Sequence, residues 1–192
     1  MLSRDESDQR LLQVIDAHLA AGRPLTLAID GCCAAGKTTL ARQLHEKYGC
    51  PVFHADDYFL QPHQRTAQRL AQPGGNMDRE RLLQEVLLPL SRGEDVLFRR
   101  FDCGTMTLQP PVRVPYAPLQ VVEGTYCMHP DLAPYYQYSM FLSISPAEQR
   151  RRILHRCTPE RARQFFDRWI PLEQLYFQQL HPAQHCNLVW EV

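Results

Sequence analysis

The sequence has no surplus of charge, since Lys plus Arg number 21 and Asp plus Glu number 21. A balanced chain sets up no global field to gather nucleic acid or an anionic membrane surface. It also lacks any apolar run near the ~20 residues of a membrane-spanning helix. None of its seven cysteines, at 32, 33, 50, 103, 127, 157 and 186, forms a Cys-x-x-Cys pair, which removes the ordinary zinc spacing. The start, Met1 to Asp8, is polar and acidic, unlike the basic and then apolar start of a secretory signal. With no internal repeat and no break in composition, the expectation is a single domain over 1–192, cytoplasmic, with free thiols. Neither nucleic acid nor membrane is expected as a partner, and homo-oligomer formation is compatible with the composition.

Glycine is scarce, at nine residues, and two glycines frame the most informative stretch. Gly31-Cys32-Cys33-Ala34-Ala35-Gly36-Lys37-Thr38 reads G-x-x-x-x-G-K-T. An apolar strand pattern over 24–30 precedes it and a helical pattern over 39–48 follows, the context that confirms a phosphate-binding loop. The glycines let backbone N–H groups face an anion, and the helix N-terminus adds its positive end. Gly31, Ala34, Ala35, Gly36, Lys37, Thr38 and Thr39 are therefore expected to bind ATP. Lys37 would reach the β- and γ-phosphates, and the Thr38 hydroxyl would hold Mg²⁺. Cys32 and Cys33 fit two readings, small loop fillers or a redox-sensitive pair.

The spacing predicts helices over 5–21, 78–90, 146–156 and 159–180, with a loop over 61–76. Short strands are expected at 51–54, 119–123, 140–144 and 186–190, and a β-hairpin excursion between 96–98 and 112–114. Strands alternating with helices imply an α/β fold: a three-layer αβα sandwich around a mainly parallel five-stranded sheet. An Arg-rich helical segment over 150–168 (Arg150, Arg151, Arg152, Arg156, Arg161, Arg163, Arg168) fits a lid over phosphates, and equally a solvated basic face.

Two strand ends carry acids. Asp56 and Asp57 follow the second strand, where open α/β sheets bind ligands. An Asp there suits the proton of an alcohol accepting a phosphoryl group. Asp57 fits that role or a helix cap, and Tyr58 and Phe59 fit an aromatic wall or the core. Glu123 ends the strand 119–123 and is a candidate for the Mg²⁺ shell.

Taken together, Gly31 to Thr39, Asp56-Asp57-Tyr58-Phe59, Val122-Glu123-Gly124 and the segment Arg156 to Arg163 resemble the uridine kinase-like branch of P-loop kinases. That branch includes uridine-cytidine kinases, nicotinamide riboside kinases, phosphoribulokinase and one type of pantothenate kinase. The resemblance implies a phosphotransferase with an alcohol acceptor, using ATP and Mg²⁺, with a small-molecule substrate that is a uridine- or cytidine-like nucleoside. It implies Asp56 as general base, Lys37 and Arg163 as catalytic groups, and Arg156 and Arg161 on the nucleotide. It places Phe101 and Asp102 on a substrate-touching hairpin. Phe101 stands where such kinases carry Tyr, and Cys157 where Asp is usual. Asn76-Met77-Asp78 lacks their His-Pro, so Asp78 is either a diol ligand or a helix N-cap. Other acceptors in view are nicotinamide riboside, pantothenate and sugar phosphates, with Arg99, Arg100 and Arg113 as candidates for holding a phosphate. Outside the class stands a nucleotide-dependent switch with slow hydrolysis, although the sequence shows no guanine-reading Asn-Lys-x-Asp string.

Overall fold

Alternate residues of the first strand pack on opposite sides of a sheet, which explains its mostly apolar character. The computed structural model describes residues 4–192. The first three residues of the polar start lie outside them. Helix α1 (Arg4–Ala20) leads into β1 (Leu25–Gly31), buried along its whole length. Leu25, Leu27 and Ile29 join one core, with Leu11 and Ile15 of α1 and Leu40 and Leu44 of the next helix. Ala28 joins a second core on the other face, with Phe53, Val122 and Tyr176.

Helix α2 (Lys37–Tyr48) follows the glycine-bounded loop and ends at Gly49, in the left-handed conformation that closes a helix without strain. Strand β2 (Val52–His54) comes next, then one 3₁₀ turn over Ala55–Tyr58. The stretch expected as a loop over 61–76 holds short helical pieces instead. One is a 3₁₀ turn at Pro62–Gln64, the other is α3 (Ala67–Leu70). The Thr66 hydroxyl accepts the Arg69 N–H, a cap strong enough to start α3. Arg69 then donates two 2.7 Å bonds to Glu80, which ties the segment to the helix beyond.

That helix is α4 (Arg79–Leu82), a wide π-type turn over Leu83–Leu87, and α5 (Leu88–Ser91). The sequence reads as one regular helix, but Pro89 has no N–H and its ring clashes with the carbonyl four residues back. The wide turn removes that clash. The same arrangement recurs near the C-terminus, where Pro171 follows a π turn over Phe165–Trp169.

The hairpin excursion is two nested antiparallel pairs. Strands β3 (Val96–Phe98) and β6 (Val112–Val114) form the base, and β4 (Phe101–Asp102) with β5 (Thr107–Leu108) forms the tip. Then come β7 (Leu119–Glu123), β8 (Tyr138–Ser143), α6 (Pro146–Arg156), α7 (Pro159–Gln164), α8 (Ile170–Leu180), α9 (Pro182–His185) and β9 (Leu188–Glu191). The main sheet has five strands in the order β2-β7-β1-β8-β9, all paired in parallel. The expected α/β sandwich is thus observed, with β1 central and its C-terminal end leading into the loop before α2. Among the described residues no helix is long and apolar enough to cross a membrane.

Candidate active site

The loop between β1 and α2 bends through positive φ at Gly31 (137°), Ala34 (63°) and Gly36 (102°). A Cβ at Gly31 would collide with the backbone of Leu142 on β8, so only glycine fits there. Gly36 caps α2 with no side-chain hydrogen bond. The first-turn N–H groups of a twelve-residue helix are left for an anion.

Beneath the loop lies Asp30, fully buried. Its carboxylate accepts the N–H groups of Gly31 (2.6 Å), Tyr126 (3.3 Å) and Met128 (2.8 Å) and the Tyr176 hydroxyl (2.7 Å). Burial pushes its pKa up against those bonds. It joins the loop, the segment after β7 and α8 at one point, a role the sequence reading did not assign.

Lys37 is buried and folds back on its loop. Its ammonium donates to the carbonyls of Gly31 (2.8 Å) and Cys32 (2.9 Å) and to the Thr125 hydroxyl (3.1 Å). The Thr38 hydroxyl donates to Glu123 at 3.0 Å. His54, opposite Glu123 in the β2–β7 register, approaches the same carboxylate oxygen at 2.5 Å. That bond is the main reason its pKa is raised. Thr38 and Glu123 thus put a hydroxyl and a carboxylate side by side, the hard oxygen donors that suit Mg²⁺.

These groups line a cleft of about 930 Å³ between the phosphate loop, the end of the sheet and the helices α6 to α8. Asp56 is open to the cleft but stands deep in it. The surrounding walls raise its pKa, and Lys37 is the strongest opposing influence. Phe59 lines the cleft and its ring lies 5.7 Å from that of Trp169. Tyr58 does not: it is fully buried, stacked on Phe98 and covered by Arg81. Asp78 is the N-cap of α4, accepting the Arg81 N–H at 3.1 Å and a Gln64 amide bond at 2.9 Å. Asp57 pairs with Arg100 at 3.4 Å. Phe101 is buried, and Asp102 closes the hairpin tip by accepting the Gly104 and Thr105 N–H groups. None of Tyr58, Asp78, Phe101 and Asp102 lines the cleft, whereas Cys103, next to Asp102, does.

Of the arginines, Arg151, Arg152, Arg156 and Arg161 line the cleft, and Arg150, Arg163 and Arg168 do not. Arg150, Arg156 and Arg168 lie over the rings of Phe166, Phe165 and Trp169. Arg151 and Arg152 both donate to Glu148. In the loop, burial raises the Cys32 and Cys33 thiols, with Glu173 adding to the effect. Protonated thiols are poor nucleophiles, which favours the filler reading over the redox pair. Asn76, Trp169 and Glu173 also line the cleft and carry no motif, so sequence reasoning missed them.

Neither a protein-family model nor a curated protein matches the sequence. Solved structures do. A protein named as a possible uridine kinase from Bacillus stearothermophilus aligns with a TM-score of 0.64 at 20% identity, over 87% of this chain and 88% of that one. A protein named as a candidate fructose transport system kinase from Silicibacter sp. TM1040 aligns with a TM-score of 0.58 at 19% identity, over 87% and 89%. At such identities the likeness concerns the fold, and the chain has the α/β fold of P-loop NTPases.

Proposed function

We propose that the protein is a small-molecule kinase that moves the γ-phosphoryl group of ATP to an alcohol, with a neutral, ring-bearing acceptor such as a nucleoside. The observation that carries this is one cleft holding the phosphate loop, the Thr38–Glu123 pair and an unshared carboxylate, Asp56. Bound Mg²⁺ would neutralise charge on the transferring phosphoryl oxygens. Thr38 and Glu123 are the residues that would hold it. Lys37 gives up its bonds to loop carbonyls for phosphate oxygens. Asp56 accepts the proton of the acceptor hydroxyl and so orients its oxygen for in-line attack. Arg156 and Arg161 close the charge balance from the lid side.

The acceptor end supports a neutral ligand. Arg99, Arg100 and Arg113, the candidates for a substrate phosphate, are turned to Glu85, Asp57 and Asp95 outside the cleft. The Phe59 and Trp169 rings and the Asn76 amide remain. Asn76 is buried, has the Tyr126 hydroxyl as a near neighbour, and keeps unfilled hydrogen-bonding capacity. Rings and an amide suit a nucleobase or a similar ring. The test is ADP release with ATP and Mg²⁺ across uridine, cytidine, nicotinamide riboside, pantothenate and ribulose 5-phosphate, for wild type and Asp56→Asn. Stimulation by an uncharged or ring-bearing acceptor, lost in the variant, supports the reading. Stimulation by the sugar phosphate alone, or by none, removes it.

A further inference from the structure

Four buried or cleft-bound carboxylates stand around Lys37, and three have tasks: Asp30 anchors the loop, Asp56 faces the acceptor and Glu123 meets Thr38. The fourth, Glu173 on α8, has none. It is 4% exposed, and its side chain lies at the wall of the nucleotide cleft. Its Oε2 accepts the N–H of Cys33 at 3.1 Å, and Cys33 lies inside the phosphate loop. From the other side Gln149 of α6 donates to the Cys33 carbonyl at 3.1 Å, and Arg152 donates to the Ala34 carbonyl at 3.2 Å. The two helices that flank α7 therefore both hold Cys33, and α6 holds Ala34 as well.

We infer that Glu173 is a positioning residue that holds an anion's place at the phosphate loop, and that nucleotide binding requires it to take up a proton as it gives up Cys33. A P-loop presents its N–H groups to phosphate. A carboxylate already on one of them repels an arriving triphosphate and gives Lys37 a counter-charge while the site is empty. Departure of Glu173 loosens α8 from the loop, so phosphate arrival reaches the lid through α8. Burial raises the Glu173 pKa, Lys37 and the Cys33 bonds oppose this, and Asp30 adds to it. Cys32 and Tyr126 are its other titratable neighbours, both pushed up by burial first and by its charge second. An incoming phosphate favours the protonated form further.

The inference rests on nucleotide binding at this loop. Its test is ATP affinity, by calorimetry without Mg²⁺, from pH 5 to pH 8 in wild type and Glu173→Gln. Gln keeps an oxygen for the Cys33 N–H and removes the charge, with an NH2 group in place of the second oxygen. The nucleotide's own titration is common to both proteins and cancels in the ratio of their Kd values. The variant should bind about tenfold tighter at pH 8, as one charge near phosphates predicts. The advantage should shrink towards unity at pH 5. Wild type alone should take up protons on binding at neutral pH beyond the nucleotide's own, measured in two buffers of different ionisation enthalpy. A pH-independent ratio, a weaker variant or no proton uptake by wild type overturns the inference while leaving the kinase reading intact. Absence of ATP binding in both proteins overturns the two together.

Discussion

Asp56 must be ionised to take a proton from an alcohol, yet its place in the cleft favours the neutral form. The protein atoms crowded around it raise its pKa above the ordinary 3.8 although it is open to the cleft, and the Lys37 charge pulls the other way. The sign follows: activity is full above the raised value and is lost as pH falls through it. The acid limb of kcat/KM should therefore lie at a higher pH than that of an ordinary aspartate. Asp56→Asn should lower kcat by ~10²–10⁴ and leave ATP affinity nearly unchanged. A variant with wild-type turnover would take Asp56 out of the chemistry. Asp30 is a stability case. In Asp30→Ala the Gly31, Tyr126 and Met128 N–H groups and the Tyr176 hydroxyl lose their acceptor. Each buried unpaired group costs ~1–3 kcal/mol, offset in part because no carboxylate is buried. A net loss of ~2–4 kcal/mol should lower Tm by about 5–10 °C in a chain of this size. A Tm within 1–2 °C of wild type (roughly 0.5 kcal/mol) would show that this anchor is dispensable.

At the scale of elements the helices α6 and α7 divide their arginines. Arg156 and Arg161 line the cleft, and Arg163, one turn of α7 from Pro159, does not. Alanine at Arg156 or Arg161 should lower kcat by ~10–10³, the range for removing one charge-stabilising donor. Alanine at Arg163 should change it less than about threefold, within ~0.7 kcal/mol. Equal losses at all three would mean that α7 turns further over the nucleotide than this structure shows. The elements also show what could be read in advance. The phosphate loop is legible because its chemistry is local: eight consecutive residues set both the bend and the donors. The inner strands β7, β1 and β8 are legible because burial on both faces writes itself as mostly apolar runs, whereas the edge strands β2 and β9 are short and partly exposed. The wide turns at 83–87 and 165–169 were not read, although Pro89 and Pro171 cause them by local clash. The place of Asp78 as the cap of α4 was one of two readings that the sequence left open, and the Arg81 N–H bond now occupies its carboxylate. Trp169 and Glu173 had no signal in sequence, and in the Asn76-Met77-Asp78 string the cleft residue is Asn76 and not the expected Asp78. Trp169 and Glu173 reach the cleft by meeting distant segments, Trp169 at Phe59 and Glu173 at Cys33 across 140 positions.

Across the whole molecule the charges cancel in number but not in place. The cations of the cleft, Lys37 with Arg151, Arg152, Arg156 and Arg161, gather around the loop before α2 and the helices α6 and α7. Arg99, Arg100 and Arg113 are held outside it by Glu85, Asp57 and Asp95. The balanced total gives no long-range field, so any steering is local to the cleft mouth. Salt then separates the two substrates. Raising ionic strength from about 0.05 M to 0.5 M shortens the screening length from roughly 14 Å to about 4 Å. It should raise the KM for ATP several-fold by screening the lid and loop cations. The KM for a neutral acceptor should stay within about twofold, because rings and amides recognise it and not charge pairs. Steady-state kinetics at saturating partner substrate measures both. If salt raised the acceptor KM as steeply as that of ATP, the acceptor would have to carry charge. The arginines now paired outside the cleft would then have to swing into it, and the neutral-acceptor reading would give way to a phosphorylated one.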